Sequence, residues 1–132
     1  MNISRFKFLC LLVVSRGVWA QTTTRLELPN HHWYTEYLES SGQPSRDQLI
    51  ELKKSGFLWV VNLSPKNVPG AIRDEQQIVE AANMGYVSIP VDWDKPSMDA
   101  LEKFFAFMDQ HRGQKILVHC WVNGRSSAFV YA

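Results

Sequence analysis

Apolar residues along this chain fall into short dense runs, and between them apolar positions recur at helical spacing. Phe57-Leu-Trp-Val-Val-Asn-Leu63 is nearly all apolar, as in a strand buried on both faces. Tyr86 to Pro90 and Lys115 to His119 are shorter runs of the same kind, and Tyr34 to Ser40 supplies a first strand. Ser45-Arg-Asp-Gln48 has the form of a capping box, with Leu49, Ile50 and Leu52 as the apolar face of the helix and Gly56 placed to end it. Arg73 to Met84 predicts a second helix, with Ile78, Val79 and Ala82 inward and Gly85 as its stop. Ser97 caps a third helix running to about His111, whose Leu101, Phe104, Phe105 and Met108 form a core stripe. Ser64 to Gly70, with two prolines, is a loop.

Strands that alternate with helices predict an α/β fold: a mostly parallel central sheet with helices on both faces. In such sheets ligands bind beyond the carboxyl ends of the strands. The loop holding Asp92 and the loop holding Cys120 both follow strands, so both are expected on that edge.

The first residues change the domain count. Arg5 and Lys7 precede the apolar run Phe8 to Val14, and Val18-Trp19-Ala20 offers a cleavage site after Ala20. Residues 1–20 are therefore expected to be a signal peptide, with a periplasmic or secreted domain over 21–132. The apolar run is too short to span a bilayer, so no stable membrane anchor is expected. Three of the chain's 14 basic residues lie in 1–20, which leaves the remainder with a formal charge of −2. No basic face is available for a nucleic-acid backbone, and nucleic acid is excluded as a partner. His31-His32 lacks a third ligand nearby, and no cofactor or metal site is expected.

Chemistry concentrates in His119-Cys120-Trp121-Val122-Asn123-Gly124-Arg125-Ser126-Ser127. Cys10 belongs to the leader, so Cys120 is the one thiol of the expected domain and has no disulfide partner. A cysteine between a buried strand and a helix N-terminus, close to an arginine, is where a thiolate is stabilised. The same amides and guanidinium suit an oxyanion.

In order, these residues resemble the signature loop of cysteine-dependent tyrosine and dual-specificity phosphatases. Ser41-Gly42-Gln43-Pro44, Leu49 to Leu63, and Gly85-Tyr86 through Ile89-Pro90-Val91 resemble a bacterial branch of that superfamily, which includes the phosphatase-like domain of beta-lactamase-hydrolase-like proteins. The resemblance implies Cys120 as nucleophile and Arg125 as the fork on two phosphoryl oxygens, which also lowers the thiol pKa. It implies the Trp121 to Ser126 amides as the phosphate cradle, Ser126 or Ser127 as the hydroxyl facing the sulfur, and His119 orienting the loop from behind. It further implies an acid on an earlier loop: Asp92 first, Asp94 as its substitute, with turn capping as the competing role for both. Trp93 and Trp121 are candidates for the pocket walls. The substrate class is a phosphorylated protein or small molecule.

Only four residues separate Cys120 from Arg125, one fewer than in the usual phosphatase loop. One amide fewer surrounds the transferring group, which predicts weaker activity. The spacing is also similar to that of rhodanese-type sulfurtransferases, where Cys120 would carry a persulfide without needing Asp92. A catalytically weak anion-binding module is the third alternative. After Arg125, only Ser126 to Ala132 remain. The resemblance implies a longer helix, so the domain is expected to be incomplete at its C-terminus, frayed there and marginal in stability, with self-association as a way to cover the open side.

Overall fold

The computed structural model describes residues 25–132; the expected leader, residues 1–20, lies outside the described residues. The chain forms β1 (His32–Thr35), β2 (Leu38–Ser41), α1 (Arg46–Glu51), a 3-10 turn (Leu52–Ser55), β3 (Trp59–Asn62), α2 (Glu75–Ala81), β4 (Gly85–Ser88), α3 (Met98–Gln110), β5 (Ile116–His119) and α4 (Gly124–Tyr131). The sheet order is β1-β2-β5-β3-β4. Strands β2, β5, β3 and β4 run parallel, and only β1 is antiparallel, against β2.

Alternation along the central strands builds two cores. Val61, Ile116, Val118 and Cys120 face one side, with Ala100, Phe104 and Phe107 of α3 and Phe129 of α4. Val60 and Leu117 face the other, with Leu49, Leu52, Phe57 and Val79. Helices therefore cover both faces, as the strand-helix alternation predicts. Leu49, Leu52 and Leu63 are fully buried; burial of a side chain of this size contributes roughly 1.5–3 kcal/mol.

The capping box at Ser45 is present: its hydroxyl accepts from the Gln48 N–H at 3.2 Å, and the Gln48 side chain accepts from the Ser45 N–H at 2.8 Å. Gly56 ends the 3-10 turn at φ 86. Four sequence expectations are corrected. Ile50, expected on the apolar face of α1, is 50% exposed. The single strand expected over Tyr34–Ser40 is a hairpin, broken where the Thr35 hydroxyl accepts from the Tyr37 N–H at 3.1 Å. Gly85 is not a helix stop but the first residue of β4, and the chain turns at Asn83, φ 58. The glycine is needed because a Cβ there would stand 2.1 Å from the Trp59 ring. On α3 the inward aromatic beside Phe104 is Phe107, not Phe105, which is 40% exposed. Trp59 accounts for this choice: Phe107 and His111 both pack against its ring, at 5.3 and 4.4 Å between centroids.

Candidate active site

Cys120 follows β5 directly, on the face it shares with Val118, and is fully buried. Its N–H donates to the Ser41 carbonyl at 3.3 Å. The loop beyond it is clamped to the end of β2. Gly42 bridges Val122, and the Gln43 N–H donates to the Trp121 carbonyl at 3.0 Å. A Cβ on Gly42 would lie 2.9 Å from that same carbonyl oxygen. The Ser41-Gly42-Gln43 stretch thus works as the seat of the loop's first half.

Asn123 then turns the chain in the left-handed region, φ 73, a conformation asparagine tolerates better than most residues. Its side chain is tied by a 2.7 Å bond to the Asn30 carbonyl. Beyond the turn α4 begins, and the backbone amides of Val122, Arg125 and Ser126 act on the Cys120 thiol. Burial pushes the thiol up, but the Ser126 hydroxyl and these three amides outweigh it and hold the thiol below its ordinary range. The Ser126 hydroxyl is fully buried and makes no other hydrogen bond among the described residues, and it is among the groups that lower the thiol. Ser127 instead bonds back to the Asn123 carbonyl at 2.7 Å. Of the two hydroxyls left open by the sequence, only Ser126 faces the sulfur.

Arg125 differs from its expected electrostatic role. Its amide, not its guanidinium, is among the groups that depress the thiol. The guanidinium lies 5.3 Å from the Trp93 ring centroid, a cation–π distance. Its Nε is buried and unpartnered among the described residues. The Trp93 ring also overhangs Gly124, where a Cβ would be 3.3 Å from it. Trp121 and Val122 are exposed on the loop's outer side.

Asp92 and Asp94 are both exposed. Asp92 lines a small cleft with Trp93, Pro96, Arg125 and Phe129. One of its carboxyl oxygens also accepts from the Asp94 N–H at 2.9 Å, so it does cap the turn. Asp92 is therefore brought beside Arg125, and Asp94 is absent from the residues lining this cleft.

His119 points away from the sulfur's face, toward α2. Its Nε2 lies 2.6 Å from Glu75 Oε1, with both side chains buried. Glu75 also accepts from Gln43 Nε2 at 2.8 Å and from Asn62 Nδ2 at 3.3 Å. Asn62 donates in addition to the Tyr86 hydroxyl at 3.1 Å. Burial, and then the negative Glu75 carboxylate, push the Tyr86 phenol up to about 12. Sequence reasoning missed Glu75, Asn62 and Tyr86. The available signals were weak: an acid where a helix would start, and an Asn ending an otherwise apolar strand.

Among the described residues, no cluster of three or more His, Cys, Asp or Glu could hold a metal ion, and no helix is long and apolar enough to cross a membrane. No family model and no curated protein matches the chain. Solved structures do. Two structures of a candidate phosphatase of the DUF442 group from Shewanella putrefaciens CN-32 are 44% identical to it at a TM-score of 0.76. Each covers 79% of this chain, which in turn spans 66% and 69% of theirs, about two thirds of their length. The core catalytic domain of the PP-IP phosphatase SIW14 from S. cerevisiae shares the fold at 15% identity and a TM-score of 0.65, over 80% of this chain and 65% of that one. A candidate phosphatase from Neisseria meningitidis z2491 does so at 18% and 0.61, over 73% and 70%. The chain belongs to the DUF442 family.

Proposed function

We propose that the chain hydrolyses phosphate monoesters, of the phosphotyrosine or dual-specificity type, through a phosphocysteine on Cys120. One observation carries this: Cys120 sits between the end of β5 and the start of α4, where the Ser126 hydroxyl and the Ser126, Arg125 and Val122 amides hold its thiol below the ordinary range. The 44% identical DUF442 structures, described as those of a candidate phosphatase, support it over a sulfurtransferase.

In the first step the Cys120 sulfur attacks phosphorus, the S–P bond forms and the P–O ester bond breaks. Asp92 gives its proton to the departing oxygen. The amides that hold the free thiolate turn to the phosphoryl oxygens, and the Arg125 fork binds two of them. In the second step water attacks phosphorus and passes a proton to the Asp92 carboxylate. The S–P bond breaks, and the Ser126 hydroxyl stabilises the leaving sulfur. Asp92 is favoured for the acid because it lies in the cleft with Arg125; Asp94 is its substitute. Export to the periplasm or beyond rests on the leader pattern of residues 1–20.

The test is turnover of an aryl phosphate by the wild type and by Cys120→Ser, beside thiosulfate and cyanide. Aryl phosphate hydrolysis lost in the variant supports the proposal; thiocyanate formation without hydrolysis overturns it.

A further inference from the structure

Glu75 is absent from the groups around the sulfur, yet three segments of the fold converge on it. Its carboxylate is 2% exposed and receives donors from His119, Gln43 and Asn62. A buried carboxylate costs stability even when paired, and an apolar residue would fill such a place at lower cost. Its donors indicate what the charge does there. His119 immediately precedes the nucleophile, and its carbonyl accepts from the Leu63 N–H at 2.8 Å. Gln43 holds the Trp121 carbonyl through its own N–H. Asn62 ends β3 and accepts from the Ser64 N–H at 2.8 Å. One buried carboxylate thus ties the end of β5, the end of β3 and the seat of the Cys120 loop together from behind.

We propose that Glu75 is a positioning residue: through His119 and Gln43 it holds the Cys120 loop in the geometry in which its amides stabilise the thiolate. The idea rests on Cys120 being the reactive nucleophile. The titratable groups that face Glu75 are His119 from β5 and Tyr86 from β4, with Arg73 and Lys66 along the neighbouring cleft. Those near Cys120 are Arg125 and, across the small cleft, Asp92.

The experiment is the pH dependence of Cys120 alkylation by iodoacetamide in the full chain, quantified on the Cys120 peptide, for wild type and Glu75→Gln. Glutamine fits the same space, but its amide NH₂ must face one of the donors. The circular-dichroism spectrum and melt report whether the variant is folded. The expected result is a folded variant whose alkylation profile moves to higher pH, with a rate at pH of about 6 that is lower by roughly tenfold. In parallel kcat falls and KM is little changed, because the loss lies in loop geometry. A folded variant with an unchanged profile overturns the proposal. Should Glu75→Gln fail to fold, Gln43→Met carries the test: a smaller shift in the same direction supports it, and an unchanged profile overturns it. A wild type that alkylates readily but turns over no phosphate ester sinks the phosphatase proposal alone, because the alkylation comparison needs no substrate.

Discussion

The N–H of Gln43 holds the carbonyl of Trp121 at 3.0 Å, so a turn far upstream sets where the Cys120 loop starts. The residue before it has no room for a side chain. Gly42→Ala would press a Cβ to 2.9 Å from that backbone oxygen, and a backbone atom cannot swing away as a flexible side chain would. The expected outcome is a stability loss of about 1–3 kcal/mol and slower turnover. Urea unfolding and steady-state kinetics check both. Full activity at unchanged stability would show that the clamp yields freely.

Gly85→Ala makes a similar claim away from the site. The Trp59 ring it would strike is held by a 2.7 Å bond from its indole N–H to Gln114 and by Phe107 and His111. The ring cannot retreat without unpacking them, and the expected cost is again about 1–3 kcal/mol. The melt should fall while the Cys120 alkylation profile of the surviving folded protein stays put.

The acid can be tested without disturbing its turn. Asn at position 92 keeps a side-chain oxygen for the Asp94 N–H and loses only the proton. Asp92→Asn should slow alkyl phosphates far more than aryl phosphates, whose leaving groups need less help, and should flatten the basic limb of the pH profile. The same pattern in Asp94→Asn, with Asp92→Asn normal, would move the acid to the other residue.

Arg125→Lys removes the fork and the planar guanidinium over Trp93 while keeping a positive charge. kcat/KM should drop about a hundredfold or more. Trp93→Ala, which leaves the fork and removes its platform, should cost about 1 kcal/mol, mostly as a higher KM. Equal losses in the two variants would mean that the guanidinium acts only through its packing.

The depressed Cys120 thiol also has a sign for stability. Its folded pKa is below the unfolded one, so the contribution is full above the unfolded value and is lost as pH falls through the folded pKa. The Tm gap between wild type and Cys120→Ser should therefore shift in favour of the wild type as pH rises toward the alkaline range. A gap independent of pH would contradict a stabilised thiolate.

The local parts of this account were legible in the sequence. The Ser45 capping box, the apolar β3 and β5 and the order Cys120 to Arg125 are each contained in a few adjacent residues. What stayed hidden depends on contacts between distant segments. Glu75 reads as an ordinary acid of a first helical turn, and only the packing of α2 against the sheet buries it on His119. Phe105 and Phe107 both suit a helix face, and the position of Trp59 decides between them. Asp92 reads equally as acid or turn cap, and its carboxyl does cap while lining the cleft with Arg125.

The most direct test of the central claim is the intact mass of the protein, quenched in acid during turnover of a phosphate ester, for wild type and Ser126→Ala. The alanine variant lacks the hydroxyl that faces the departing sulfur. A phosphoryl adduct mapped to Cys120, more abundant in Ser126→Ala than in wild type, is the predicted result. Steady hydrolysis with no adduct on Cys120 in either protein, or undiminished hydrolysis by Cys120→Ser, would contradict it.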